Sequence, residues 1–255
     1  MKYTLDTIPV IDAYKTNCEC PLCQLRIHCE DQYIDSMLSS AYMEPDYRLK
    51  TNETGFCKRH FELMYNRRNR LGLALMTHTH MIEVIKSLES ILEGGGGSSR
   101  GGFLAGLRGG SKASGETAPQ KIRARMDGCF ICDQMKASID RYAYTIAQLY
   151  FTNTEFRALV EKSKGFCLPH LALVLELADK TLNASQADQF KKMIAGVQLE
   201  NMKRIEGEIE WFTLKFDYRN DDKPWGNSRD AVERSINKLM GATVGEEAEM
   251  PAHND

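Results

Sequence analysis

The sequence predicts an all-α protein made of two related helical modules, each pinned by a Cys3His metal site, with a C-terminal helix after the second. Three observations carry this expectation. Apolar residues recur at three- and four-residue steps over long stretches, no alternating strand-type runs lie between turn residues, and one pair of Cys/His motifs occurs twice.

The duplication organises the chain. Cys20-Pro21-Leu22-Cys23 recurs as Cys129-Phe130-Ile131-Cys132, an offset of 109 residues, and Gly55-Phe56-Cys57-Lys58-Arg59-His60 recurs as Gly165-Phe166-Cys167-Leu168-Pro169-His170, an offset of 110. Between them, Tyr33, Tyr42 and Asp46-Tyr47-Arg48 are echoed by Tyr142, Tyr150 and Glu155-Phe156-Arg157. The expected division is a first module over residues 1–93, a flexible Gly/Ser-rich linker over 94–120, a second module with the C-terminal helix over 121–244, and a disordered acidic tail over 245–255. The linker holds one apolar island, Phe103 to Leu107, read as part of an unstructured tether or else as a docking segment.

Each module contains a long amphipathic stretch. From Phe61 the positions Met64, Leu71, Leu75, Ile82, Ile85 and Leu92 form one stripe, and Phe190, Ile194, Val197, Ile205, Ile209, Phe212 and Phe216 form another. Both are expected to be long helices burying those stripes, with Gly72 and Gly196 costing about 1 kcal/mol each relative to Ala. Ser185-Gln186-Ala187-Asp188 resembles a capping box for the second. Lys215 to Ser228 then reads as a loop dense in Tyr, Trp, Arg and Asp, either a hydrogen-bonded corner that docks the last helix or a surface for a polar ligand. A final helix runs from Asn227 or Ser228 to Met240 and is closed by Gly241.

The repeated motifs carry the chemistry. Cys-x-x-Cys, some 33 residues and Cys-x-x-His supply four ligands per repeat, the number a closed tetrahedral zinc site requires. Residues three apart at a helix start project to one side, about 5–6 Å apart at their Cβ atoms, which suits two vertices of a tetrahedron. The expected ligand sets are Cys20, Cys23, Cys57 and His60, and Cys129, Cys132, Cys167 and His170, with one Zn2+ in each, stapling two helix N-termini whose partial positive charge favours thiolates.

Other uses of these cysteines are less well matched. A thioredoxin-like dithiol lacks its βαβ setting, haem attachment lacks a His where Gln24 and Asp133 stand, and iron–sulfur ligation usually takes four thiolates. Cys18 and Cys29 have no counterparts, since Asp127 and Ser138 occupy the equivalent places, although Cys18 is an alternative to Cys20. His78 and His80 fall two apart on a helix and point to different faces, so they read as ordinary surface or core histidines. The basic runs at 67–70 and 121–125 lack interleaved aromatics, and no phosphate loop or hydrolase motif occurs.

Composition bounds the function. Thirty-three Lys and Arg against 35 Asp and Glu give a net charge of −2, so there is no global attraction to nucleic acid or anionic membrane. The longest aliphatic run is Leu171 to Leu175, far short of the roughly 20 residues of a membrane span, and mean hydropathy is −0.42. Met1 to Lys15 lacks a secretory pattern, which points to the cytoplasm, where cysteines serve as thiols or metal ligands before disulfides. The expected function is that of a cytoplasmic, non-catalytic zinc-binding protein that engages an unidentified protein partner, because four protein ligands leave no open coordination position. The alternative is a thiol-redox or metal-dependent enzyme using the cysteine sets or the polar loop near Trp225. The oligomeric state is left open.

Taken together, Cys-Pro-Leu-Cys, a helix with spaced tyrosines, Pro45-Asp46-Tyr47-Arg48, Gly-Phe-Cys-x-x-His and the closing runs Lys215 to Asn220 and Pro224 to Ala231 resemble an uncharacterised bacterial family of unknown function in which tandem Cys-x-x-Cys and Gly-Phe-Cys-x-x-His modules recur. The resemblance covers most of the chain outside the linker and tail. It supports the repeat and implies no activity.

Overall fold

A computed structural model describes residues 5–67, 69–94 and 116–245. The linker island Phe103 to Leu107 and nearly all of the acidic tail lie outside the described residues. Among those described there are eleven α-helices and no strand: α1 Thr7–Lys15, α2 Pro21–Ser39, α3 Pro45–Thr54, α4 Lys58–Asn66, α5 Arg70–Gly94, α6 Ala118–Met126, α7 Phe130–Thr152, α8 Thr154–Glu161, α9 Leu168–Thr181, α10 Ala184–Leu214 and α11 Ala231–Met240. None is long and apolar enough to cross a membrane.

The helices begin where local chemistry predicts. Pro21, Pro45 and Pro169 sit in first turns, where the missing N–H costs nothing. Asn183 caps α10 by accepting from Gln186 N–H at 3.0 Å, so the cap lies two residues before the expected Ser185. Helix α6 starts inside the expected linker, capped by Thr117, whose N–H donates to Gln120 Oε1 at 2.8 Å. The single helix expected from Phe61 to Leu92 is two. It stops at Asn66 and restarts at Arg70, because Asn69 Oδ1 accepts the Gly72 N–H at 2.9 Å and so caps a new helix.

The chain divides into two compact units, residues 1–31 with 135–255, and residues 32–134. This differs from the sequential division expected from the repeat. The boundaries fall inside α2 and α7, each of which starts in one unit and ends in the other.

In the first unit, Val10, Leu22, Ile146, Phe156, Val160, Phe166, Val174 and Phe190 are fully buried in one cluster. Tyr14 meets Phe156 edge-on with centroids 5.0 Å apart, and Tyr150 meets Phe190 at 5.3 Å. The buried members of the α10 stripe are Phe190, Ile194 and Ile205, while Phe216 at its end is exposed. Lys215 to Ser228 form a hydrogen-bonded corner: Lys215 Nζ donates to the carbonyls of Asn220 (2.5 Å), Asp221 (3.0 Å) and Lys223 (2.7 Å), and Trp211 Nε1 donates to that of Pro224 at 3.1 Å.

In the second unit, Ile34, Met37, Phe56, Met64, Met76 and Phe130 are buried. Tyr47 meets Phe130 at 5.8 Å, and Arg125 holds α6 to the end of α3 by donating to the carbonyls of Glu53 (2.5 Å) and Asn52 (3.3 Å). Helix α5 buries Leu73 and Met76, but Leu71, Ile82, Ile85 and Leu92 of the stripe expected to face the core are exposed. Its covered face is the opposite one, fixed by Thr79 Oγ1 donating to Asn52 Oδ1 at 2.5 Å and by a 2.8 Å bond between His80 Nδ1 and the Asn52 carbonyl.

Candidate metal centres

The four Cys/His pairs all stand at helix N-termini. Cys20 immediately precedes α2 and Cys23 lies in its first turn, Cys129 and Cys132 are placed in the same way on α7, and Cys57 and Cys167 are the N-caps of α4 and α9. A thiolate there meets unpaired N–H groups and the positive end of the helix dipole.

The eight residues gather into two groups, and the grouping crosses the repeat. Cys20 and Cys23 meet Cys167 and His170, and Cys57 and His60 meet Cys129 and Cys132, with the donor atoms of each group within 4.8 Å of one another. The expected sets, each drawn from one repeat, are thus exchanged: the Cys-x-x-Cys of either copy joins the Cys-x-x-His of the other. The physical reason lies in where the helix starts fall, since α2 begins in the unit that contains α9, and α7 begins in the unit that contains α4. Each group lies within a single unit.

In the first group, His170 Nδ1 is 3.4 Å from Cys20 Sγ, 3.4 Å from Cys23 Sγ and 3.2 Å from Cys167 Sγ, and Cys23 Sγ is 3.6 Å from Cys167 Sγ. In the second, His60 Nδ1 is 3.2 Å from Cys57 Sγ, 3.2 Å from Cys129 Sγ and 3.4 Å from Cys132 Sγ, and Cys57 Sγ is 3.8 Å from Cys132 Sγ. A tetrahedral ion with bonds of about 2.3 Å to sulfur and about 2.0–2.1 Å to nitrogen holds its ligand atoms roughly 3.6 Å (S to N) and 3.8 Å (S to S) apart. The observed separations lie within a few tenths of an ångström of those edges, so each group fits one metal ion.

Charge tells the same story. Three thiols packed this closely cannot all ionise without a cation among them. In the first group, hydrogen bonds from Cys20 and Cys23 hold the Cys167 thiol down to about 4, while burial and then its thiol neighbours push Cys20 well above the usual range. In the second, burial opposes ionisation of Cys129, but hydrogen bonds from His60 and from the Cys132 and Cys57 backbone outweigh it and take the thiol down to about 6. Burial, and then Cys129 and Cys57, push Cys132 upward.

The two groups differ in access. Cys20, Cys23 and Cys167 are buried, and Cys23 Sγ accepts the Ala242 N–H at 3.3 Å. In the second group Cys132 is exposed and Cys57 half-buried. Cys18 and Cys29 are buried and belong to neither group.

The Gly-Phe-Cys turn is locked differently in each copy, by residues the sequence did not single out for the task. Gly55 and Gly165 have φ of +67° and +77°, a region that strongly favours glycine. A Cβ on Gly165 would lie 2.6 Å from Gln198 Oε1. Buried Gln198 accepts the Phe166 N–H at 2.9 Å and donates to its carbonyl at 2.8 Å. At the other turn a Gly55 Cβ would lie 2.5 Å from the His80 ring. A buried ion cluster adjoins the first group: Glu19, 1% exposed, accepts from Arg204 Nη2 at 2.8 and 2.7 Å, and Lys238, also 1% exposed, donates to the Glu19 carbonyl at 2.9 Å. A lone Glu beside a Cys and a Lys near a chain end carry no motif that announces such a pair.

No curated protein and no solved structure matches this chain. A family model described as "Family of unknown function (DUF6062)" matches residues 1–246, and the chain belongs to that family.

Proposed function

We propose that this is a non-catalytic zinc protein of the cytoplasm that binds two Zn2+ per chain and uses them to hold helix N-termini together, presenting the helical surfaces to a protein partner. The observation that carries the reading is the set of separations of 3.2–3.8 Å between the donor atoms in both Cys3His groups. Cys20, Cys23, Cys167 and His170 are the ligands of one ion, and Cys57, His60, Cys129 and Cys132 those of the other. Zinc is favoured because three thiolates and an imidazole at tetrahedral spacing suit it, and because an iron–sulfur cluster spreads its ligands over several iron atoms and so sets them further apart than a single ion does. The same count argues for structure over catalysis, since four protein ligands leave no position for water or substrate. The shared order of elements from each Cys-x-x-Cys onward, a long helix, a short helix, a Gly-Phe-Cys turn and a third helix opened by Cys-x-x-His, supports an origin by internal duplication.

Elemental analysis and native mass spectrometry of protein purified without added metal test the reading. Two zinc ions per chain and no visible absorption are expected. A metal content near zero, or an iron–sulfur chromophore, overturns it.

A further inference from the structure

The two Cys3His groups carry the same ligand types in different surroundings. The first lies under the turn that follows α11: Ala242 donates its N–H to Cys23 Sγ at 3.3 Å, and a Cβ on Gly241 would lie 3.9 Å from both Cys23 Sγ and Cys167 Sγ. That turn is fastened on two sides, by Arg26 Nη2 donating to the Ala242 carbonyl at 2.9 Å and by Asn237 Oδ1 accepting the Thr243 N–H at 2.8 Å. All three cysteines beneath it are buried. In the second group Cys129 is buried, but Cys132 is exposed and Cys57 half-buried, and the sulfurs of these two are 3.8 Å apart. The residues between Cys and His differ in the same sense. Leu168 and Pro169 stand there in the first group, and the exposed cations Lys58 and Arg59 in the second.

Thiolates that respond to oxidants share solvent access, an electropositive setting and a second thiol within reach to resolve the first oxidation product. Cys132 and Cys57 meet all of these: one is exposed, both stand at helix N-termini, Lys58 and Arg59 follow Cys57 directly, and each sulfur is the other's neighbour. To bond, the two sulfurs close from 3.8 Å to about 2.0 Å. Cys129 is the third sulfur of the group but is buried, so the accessible pair is Cys57 with Cys132. In the first group an oxidant reaches a sulfur only after local opening of the turn that covers it.

We propose that the second group is an oxidation switch, at which hydrogen peroxide joins Cys57 to Cys132 and expels the ion those residues hold. The ion rests on the zinc reading above, whereas the disulfide rests on the sulfurs alone. The Cys132 thiolate attacks one peroxide oxygen, breaks the O–O bond and becomes a sulfenic acid, with hydroxide leaving. The Cys57 thiolate then attacks that sulfur and displaces a second hydroxide, which gives the disulfide. Two electrons pass from the sulfurs to the peroxide, and solvent protons convert both hydroxides to water. The ion is left with Cys129 and His60, two of its four ligands, and dissociates. The disulfide still ties the N-cap of α4 to the first turn of α7, so a dithiol reductant and Zn2+ restore the site.

The test uses the full chain as purified, with zinc counted before and after a hydrogen peroxide titration and disulfides mapped by peptide mass spectrometry without reduction. One of two zinc ions should be released together with the appearance of a Cys57–Cys132 linked peptide pair, while Cys20, Cys23 and Cys167 stay reduced. Dithiothreitol with Zn2+ should then return the lost ion. Release of both ions in step, release of neither, a link between Cys129 and Cys132, or a Cys132 oxidised to sulfinic acid without a link overturns the proposal. A chain that holds two zinc ions but forms no Cys57–Cys132 link overturns the switch and leaves the zinc reading standing. A chain that carries no zinc refutes that reading and the expulsion with it; a Cys57–Cys132 link formed there would uphold the oxidation site, and its absence would overturn that as well.

Discussion

Cys20 and His170 stand 150 residues apart in the sequence, and their Sγ and Nδ1 atoms are 3.4 Å apart. That contact defines the Cys3His groups, because it ties the start of the first repeat to the middle of the second. With its counterpart between His60 and Cys129 at 3.2 Å, it makes neither repeat complete by itself. A fragment holding residues 1–93 would carry two half-sites and no whole one.

Paired substitutions distinguish this crossed arrangement from one site per repeat. Cys20→Ser combined with His170→Ala removes two ligands of one ion, and native mass spectrometry should find one of two zinc ions retained. Cys20→Ser combined with His60→Ala damages both groups and should leave none. If the first pair lost both ions and the second kept one, the ligands would be grouped by repeat after all.

The eight Cys and His residues that gather into the two groups, and their helix-start positions, were legible in the sequence, because duplication and three-residue spacing are local signals. Their grouping was not. Joining Cys23 to Cys57 closes a loop of 33 intervening residues, and joining it to Cys167 closes one of 143. The entropic difference is only about 1.3 kcal/mol, small beside the roughly 10–16 kcal/mol of a structural zinc site. Sequence distance therefore cannot choose between two arrangements with identical ligand composition. The α5 stripe shows a related limit. Periodicity reveals that Leu71, Ile82, Ile85 and Leu92 share a face, but what covers that face depends on neighbours the pattern does not encode. The polar locks were invisible for the same reason: Gln198 on the apolar-patterned α10 reads as a surface residue until the Phe166 backbone arrives beside it.

Gln198→Ala should destabilise the first unit without touching a ligand. It leaves the buried N–H and carbonyl of Phe166 without their partner, at a cost of about 1–3 kcal/mol per group. Gly165→Ala should also destabilise, by forcing a Cβ into the positive-φ region and against Gln198. Thermal unfolding should show the melting temperature lowered in both variants. Gln198→Ala combined with Gly165→Ala should lose less than the sum, because the first removes the clash created by the second. Strict additivity would mean that the two residues do not act on one turn.

Glu19 predicts an acid limb to stability. Burial, the largest influence, opposes its ionisation, but the Arg204 hydrogen bonds and the charges of Lys238, Arg204 and Lys164 outweigh it and hold the carboxyl below the usual 4.5. A folded-state value below the unfolded one contributes stability that is present above pH 4.5 and is lost as pH falls through the folded value. Glu19→Gln strands Lys238 and Arg204 beside a neutral group and should cost about 3–5 kcal/mol at neutral pH. Denaturant titrations at several pH values should show the gap between wild type and variant narrowing below pH 4.5. A gap that did not narrow with acid would show that the carboxylate charge contributes nothing.

The two centres should release metal in a fixed order, set by access. A chelator or alkylating reagent must reach a ligand atom, and in the first group all three sulfurs are buried, whereas in the second Cys132 is exposed and Cys57 half-buried. Attack on the second group needs no opening of the fold, while attack on the first waits for local unfolding of its unit. Competition with a strong chelator should therefore proceed in two phases of one zinc each. Alkylation quenched after the first phase should mark Cys57, Cys129 and Cys132, and leave Cys20, Cys23 and Cys167 unmodified by peptide mass spectrometry. Both phases should quicken as pH falls, because protons compete with the metal for the thiolates. The order should hold throughout, since protonation does not change which sulfur faces solvent. Reversal of the order would mean that local opening around α9 is faster than ligand exchange at an exposed thiolate, and access read from burial would not govern the kinetics.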